Sequence, residues 1–262
     1  MSGATAFLGG GKMGEALLAG LIRGGTPASE ILVVEPDVER AAYLTRTHGV
    51  RVVDTAQLPS ASTIVVAVKP HAVERLLASL GLGAGQLLVS IAAGISLAKL
   101  EAAAGAGVPV VRSMPNTAAL VGQGMTAICG GSDATAVHLD AAERLLASAG
   151  RVVRVDEKQL DAVTAVSGSG PAYFFLAVEA LIDAGVVFGL PRALATELAV
   201  QTALGAATML AETGEHPVLL KEAVTSPGGT TIAALRALEA GGLRAAIADA
   251  VEAAARRSAE LG

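Results

Sequence analysis

Thr5-Ala6-Phe7-Leu8 is a short apolar run that leads straight into Gly9-Gly10-Gly11-Lys12-Met13-Gly14, and Glu15 to Ile22 then carries a helical apolar period. A chain written as strand, glycine turn, helix has few folds open to it. Gly9, Gly11 and Gly14 stand at the spacing where the first glycine makes the tight turn, the second admits a pyrophosphate and the third lets helix pack on strand. The next strand, Ile31 to Val34, ends at Glu35, roughly 20 residues beyond the loop, where an acid can bind ribose hydroxyls. A purely structural glycine turn is the weaker reading, because strand, helix and acid all stand where dinucleotide binding needs them.

Further strands follow in the first half. Thr63 to Val68 is wholly apolar, as in a buried parallel sheet, and runs into Lys69-Pro70, where a crossover helix starts at the proline. Leu87 to Ile91 ends in Ala92-Ala93-Gly94, small residues suited to the carboxyl edge of an open α/β sheet, where ligands lie. Val108 to Arg112 continues into Ser113-Met114-Pro115-Asn116-Thr117, which holds the one asparagine of the chain. Asn116 either orients a nicotinamide or substrate or belongs to an ordinary Pro-Asn turn. Gly124 to Cys129, a helix near Asp133 to Ser148, and Arg151 to Val155 complete a first domain over residues 1–155.

From about Asp156 the strand pattern stops, so residues 156–262 read as an all-helical domain. Ser167-Gly168-Ser169-Gly170-Pro171 opens a long apolar helix, Ala172 to Val187, with Ser169 near its cap and Pro171 in its first turn. Only Glu179 and Asp183 bring charge to it, and at i, i+4 they share one face. A wet edge of the helix fits this pair better than acid/base work or a metal, since no histidine completes a site. Further helices are expected from Pro191 to Thr213, His216 to Val224, Thr230 to Ala240 and Leu243 to Leu261.

Between two of them lies Val224-Thr225-Ser226-Pro227-Gly228-Gly229-Thr230-Thr231, with four hydroxyls around a Pro-Gly-Gly turn. The amides of Gly229, Thr230 and Thr231 fall at a helix N-terminus, which makes a ready carboxylate site. The competing reading is that Thr230 or Thr231 merely caps the helix.

Composition narrows the function classes. With 262 residues, 52% hydrophobic and 16% charged, the chain has ample core, and no uninterrupted apolar run reaches the ~18 residues of a membrane span. A net charge of −5, no Lys/Arg clusters and 2% aromatics argue against nucleic acid as a partner. No basic leader precedes the first strand, so a cytoplasmic protein without a membrane partner is expected. The four histidines are widely spaced and suggest no metal site. Cys129, the single cysteine, reads as a buried structural thiol rather than a nucleophile. So few charges on so apolar a helical half call for an extensive subunit interface.

The glycine loop, Ala67-Val68-Lys69-Pro70, Ala165-Val166-Ser167-Gly168-Ser169-Gly170-Pro171-Ala172-Tyr173 and the hydroxyl turn together resemble the pyrroline-5-carboxylate reductase family over essentially the full length. The resemblance implies an α/β Rossmann-like dinucleotide-binding domain followed by an all-α dimerisation and substrate-binding domain. It implies hydride transfer from NADPH or NADH to the imine carbon of 1-pyrroline-5-carboxylate, giving L-proline. By the same resemblance the loop Gly9, Gly11, Lys12, Met13 and Gly14 holds the cofactor, and Ala67, Val68, Lys69, Pro70 and Ala92 line it. Ser226, Gly229, Thr230 and Thr231 then bind the substrate carboxylate, with Thr231 the hydroxyl nearest the ring nitrogen. Helical domains of two subunits interleave in that family, and dimers can build rings.

Glu35-Pro36-Asp37 departs from one common family pattern of small polar or basic residues, and a carboxylate there repels a 2′-phosphate and suits NADH. A 3-hydroxyacid dehydrogenase shares the domain plan, but Asn116 is not followed by the Asn-x-x-Lys pattern that family requires. A nucleotide-sensing or scaffold protein on the same fold is the non-enzymatic alternative.

Overall fold

The computed structural model describes residues 3–261. The chain forms two compact units, Met1–Ser169 with Ala254–Gly262, and Gly170–Ala253. The sequence boundary at 155/156 marks the end of the strands, whereas the division in packing falls at Ser169/Gly170, and the last residues return to the first unit.

In the first unit strands and helices alternate in chain order: β1 (Ala4–Leu8), α1 (Lys12–Arg23), β2 (Ile31–Val34), α2 (Val38–His48), β3 (Arg51–Val52), β4 (Ala61–Val66), α3 (Pro70–Ala78) and β5 (Leu87–Ser90). After them come α4 (Leu97–Ala104), β6 (Val110–Met114), β7 (Gly124–Gly130), α5 (Ala136–Leu146) and β8 (Gly150–Arg154). The eight strands form one sheet in the order β3-β2-β1-β4-β5-β6-β7-β8. The strands from β3 to β6 in that order run parallel, β7 is antiparallel to β6, and β8 is parallel to β7.

Alternation along the strands builds two cores, one on each face of the sheet. Ala6, Leu8, Ile64, Val66, Leu88 and Val110 meet Val73, Leu77 and Leu100 of α3 and α4 on one face. Phe7, Val33, Val65, Val89 and Val111 meet Leu17, Leu44 and Leu146 of α1, α2 and α5 on the other. Burial on both faces explains the continuous Val/Ile/Leu runs. Full burial of each Leu or Val contributes about 1.5–3 kcal/mol, so these layers dominate the stability of the unit.

The helical part begins with α6 (Leu160–Val163), passes through a π-helical turn at Thr164–Gly168, and continues as α7 (Gly170–Val187). This corrects one expectation: Ser169 does not cap the start of a helix. It is itself in αR geometry, and its N–H donates to the Thr164 carbonyl five residues back at 2.8 Å. Ser-Gly-Ser-Gly-Pro resembles a helix start in composition, but here it accommodates an extra residue in a running helix.

The second unit contains α7, α8 (Arg192–Thr213), α9 (Pro217–Ala223), α10 (Thr230–Ala240) and the first part of α11 (Leu243–Leu261). Gly185 lets α7 lie close to α8, since a Cβ there would stand 3.1 Å from the Ala195 side chain. Most of the apolar surface of this unit lies open in the single chain: Phe174, Phe175, Leu176, Phe188 and Leu204 are all more than half exposed. By length and hydropathy alone, the helical stretches Glu157–Val187 and Arg192–Thr213 could cross a membrane, although no uninterrupted apolar run suggested it.

Candidate functional site

The glycine loop sits at the carboxyl end of β1, where the chain winds outward to β2 on one side and β4 starts the other half of the sheet. Such a switch point opens a crevice. Gly9 has φ +99, and a Cβ on it would lie 2.9 Å from the Ala67 carbonyl; on Gly14 it would lie 2.7 Å from the Gly9 carbonyl. These two glycines are needed for close backbone approach. Gly11 differs, because a Cβ there would meet nothing within 4 Å and point into open space. Gly11 is also the N-cap of α1 with no side chain capping it, and the first helical bond runs from Glu15 N–H to the Gly11 carbonyl at 2.8 Å. The amides of Lys12, Met13 and Gly14 therefore precede the helical ladder, and this cradle of amides at a helix N-terminus fits a pyrophosphate.

Ala67 forms the opposite wall. Its N–H continues the β4–β1 ladder to the Leu8 carbonyl at 2.8 Å, and Val68 packs toward Gly9. Lys69 is the N-cap of α3 and Pro70 its first residue. Ala92 follows β5, buried, with its N–H on Ser90 Oγ at 3.3 Å, while Ser113 Oγ donates to the Ser90 carbonyl at 2.8 Å. Gly9, Gly11, Gly14, Glu35, Ala67 to Pro70 and Ala92 thus all lie at the carboxyl ends of neighbouring strands β2, β1, β4 and β5.

Glu35 is tied to the loop itself: Gly10 N–H donates to Glu35 Oε2 at 2.8 Å and Asp37 N–H to Glu35 Oε1 at 3.0 Å. The Gly10 carbonyl is held from the other side by Arg40 Nε at 2.6 Å. Gly10 was not singled out by the dinucleotide pattern, yet a Cβ on it would fall 2.3 Å from Leu44. The triple glycine was its trace in the sequence. Arg40 in turn pairs with Glu15, whose other oxygen meets His48 Nε2 at 2.8 Å. Burial acts to raise the Glu15 carboxyl, but hydrogen bonds from His48, Arg40 and Tyr43 outweigh it and hold the group below its usual range. No motif announces this network, because its members are 25 to 33 residues apart.

Asn116 has its amide fully engaged. Its Oδ1 accepts from Met125 N–H at 3.1 Å, and its Nδ2 donates to the Ser167 carbonyl at 3.2 Å. That carbonyl lies four residues before Pro171, which has no N–H to offer it. Asn116 thus supplies a donor the helix lacks at its π turn, and it is neither a simple turn residue nor a side chain free to reach a ligand.

In the helical unit, Ser226-Pro227-Gly228-Gly229 forms a turn closed by Gly229 N–H on the Ser226 carbonyl at 3.1 Å, with Gly228 at φ +67. Proline second and glycine third match a type II turn. Gly229 is the N-cap of α10, and no side chain caps the helix. The capping reading of Thr230 and Thr231 is therefore not what the structure shows. Both lie inside the first turn of α10, and neither hydroxyl has a partner among the described residues. Thr225 differs: its hydroxyl bonds back to the Lys221 carbonyl at 2.6 Å.

Two further candidates have structural explanations. Burial, reinforced by Glu157, pushes the Cys129 thiol up to about 11, which leaves it protonated and unreactive near neutrality. Asp183 accepts from Arg192 at 2.9 Å, an ion pair joining the end of α7 to the start of α8.

Comparison with known proteins places the chain. Residues 157–261 match the family described as pyrroline-5-carboxylate reductase dimerisation, and residues 4–94 match that described as NADP oxidoreductase, coenzyme F420-dependent. The pyrroline-5-carboxylate reductase of Mycobacterium tuberculosis is 49% identical, over 98% of this chain and 96% of its own. Among solved structures, the pyrroline-5-carboxylate reductase of Coxiella burnetii superposes with a TM-score of 0.93 at 36% identity, covering 100% of this chain and 99% of its own. The Plasmodium falciparum pyrroline carboxylate reductase, solved with NADP bound, follows at 0.88 and 31%, covering 100% and 98%. The apolar helices left open in the single chain fall in the region that matches the dimerisation family, so a second subunit rather than a membrane is their cover. With the glycine cradle, the switch-point crevice and the hydroxyl turn all on one chain of this length, the protein belongs to the pyrroline-5-carboxylate reductase family.

Proposed function

We propose that this chain reduces 1-pyrroline-5-carboxylate to L-proline as a homodimer in the cytoplasm, with the dimers able to build rings, and that residues 156–262 serve both dimerisation and substrate binding. The observation that carries the reading is the start of α10, which no side chain caps and where the hydroxyls of Thr230 and Thr231, without partners among the described residues, accompany backbone amides suited to a carboxylate. The bound dinucleotide supplies a hydride; the chain supplies position.

Gly9 and Gly14 keep the loop close to the sheet, and the amides of Lys12, Met13 and Gly14 receive the pyrophosphate in the space left by Gly11. Ala67 to Pro70 and Ala92 line the nicotinamide half, with Asn116 acting on it at one remove through the π turn. Ser226 and the amides of Gly229, Thr230 and Thr231 fix the substrate carboxylate. The Thr231 hydroxyl hydrogen-bonds the ring nitrogen as that nitrogen becomes an amine. A protonated imine carbon is already electrophilic, so orientation alone can supply several orders of magnitude of rate.

The test is turnover. Purified protein consumes NADH or NADPH only when 1-pyrroline-5-carboxylate is present, and proline accumulates in equal amount. Folded protein that consumes neither cofactor overturns the reading.

Glu35 sets one further expectation. Replacing Glu35 with Ser removes a charge that repels a 2′-phosphate, so kcat/KM for NADPH relative to NADH rises on the order of three- to tenfold in dilute buffer and less at high salt. An unchanged ratio places the carboxylate outside the ribose site.

A further inference from the structure

The segment Glu35-Pro36-Asp37-Val38-Glu39-Arg40 carries three acids and one cation. In an α/β fold of this kind, a cation just beyond the second strand is the natural receiver of a 2′-phosphate. Arg40 occupies that place, yet its charge is already matched. Its Nε holds the Gly10 carbonyl at 2.6 Å, its terminal nitrogen pairs with Glu15, and its guanidinium carbon lies 5.0 Å from the centre of the Tyr43 ring. Glu15 is kept in place in its turn by His48 Nε2 at 2.8 Å. Glu15, Arg40 and His48 are each less than a third exposed, which limits screening of these charges by solvent.

We propose that Glu15, supported by His48, is a specificity-positioning residue that retains Arg40 on the glycine loop and so biases the enzyme toward the dinucleotide without a 2′-phosphate. The inference rests on the reading that this loop holds NADH or NADPH. It adds to the role of Glu35, since Glu35 repels the phosphate directly whereas Glu15 withholds the group that would attract it. The Gly10 peptide joins the two, its N–H on Glu35 and its carbonyl on Arg40. Release of Arg40 therefore alters the same loop that the pyrophosphate meets.

The test measures binding directly, by titration calorimetry of the full-length protein with NAD+ and NADP+ at low and high salt. Glu15→Gln should lower the Kd for NADP+ relative to NAD+ at least fivefold, with the gain shrinking as salt is raised. His48→Gln should move the ratio in the same direction by a smaller factor, and it carries the test if Glu15→Gln does not fold. The decisive control is the double variant Glu15→Gln with Arg40→Gln, in which the ratio returns to that of the parent. A ratio within twofold of the parent in both single variants, or a gain that persists without Arg40, overturns the proposal while leaving the enzymatic reading intact. Parent protein that binds neither dinucleotide removes the cofactor reading, and this inference with it.

Discussion

Gly11→Val should leave a folded protein that binds neither NADH nor NADPH measurably. Gly11 has φ −63 and ψ 177, an extended conformation open to any residue, and its missing Cβ faces open space. The fold therefore loses only the difference between glycine and valine at an N-cap, about 1 kcal/mol or some 2–4 °C in thermal midpoint. The side chain instead fills the space that a pyrophosphate needs, and Kd should rise on the order of a hundredfold or more, about 2.7 kcal/mol. Gly14→Ala is the converse, because its Cβ would press within 2.7 Å of the Gly9 carbonyl and the cost of about 1–3 kcal/mol falls on helix–strand packing. Calorimetric binding and thermal melts on both variants check the pair; normal dinucleotide binding by Gly11→Val means the loop is not the pyrophosphate cradle.

Thr231→Ala should do the reverse of a capping mutation. Since Gly229 is the N-cap and the Thr231 hydroxyl has no partner among the described residues, its loss should change stability by less than ~0.5 kcal/mol. A contact that strengthens as the ring nitrogen becomes an amine lowers kcat as well as kcat/KM, and a loss of at least about tenfold in kcat/KM, or ~1.4 kcal/mol, is expected. Thr225→Ala separates the two effects: it removes the bond to the Lys221 carbonyl and costs about 1 kcal/mol of stability while kcat/KM holds. Melting temperature and steady-state kinetics on both variants read the contrast. Wild-type kinetics in Thr231→Ala refute its role in the reaction.

Much of the fold could be read from local pattern. Ile31–Val34 stands as a strand, and Thr230–Ala240 and Leu243–Leu261 as helices, at the bounds that their apolar periods and flanking glycines indicate. The features that escaped are those fixed by tertiary contact. β3 is two residues long and exposed, so no apolar pattern marks it. The π turn at Thr164–Gly168 looks like a helix start because serine, glycine and proline are also the residues that begin helices, and only the Asn116 bond across to Ser167 shows why the helix continues.

The site divides in the same way. Gly9 and Gly14 answer a backbone need within one contiguous loop and Gly11 leaves open the space beside it, so all three show as a local pattern. Gly10 does not, since its constraint comes from Leu44 and Glu35, elements further along the chain. Glu15, Arg40 and His48 are ordinary residues of two amphipathic helices until folding brings α1 and α2 together. The hydroxyl turn stood out in the sequence but left capping and ligand binding as rival readings, and the structure removes only the first, since Gly229 occupies the N-cap.

The most direct test of the central claim follows the hydride. Cofactor carrying deuterium at both nicotinamide C4 positions is incubated with the protein and 1-pyrroline-5-carboxylate, and the product is examined by NMR. L-proline bearing one deuterium at the ring carbon that had been the imine carbon is the expected product. Folded protein that yields no labelled proline, or label at any other carbon, would contradict hydride transfer to that carbon.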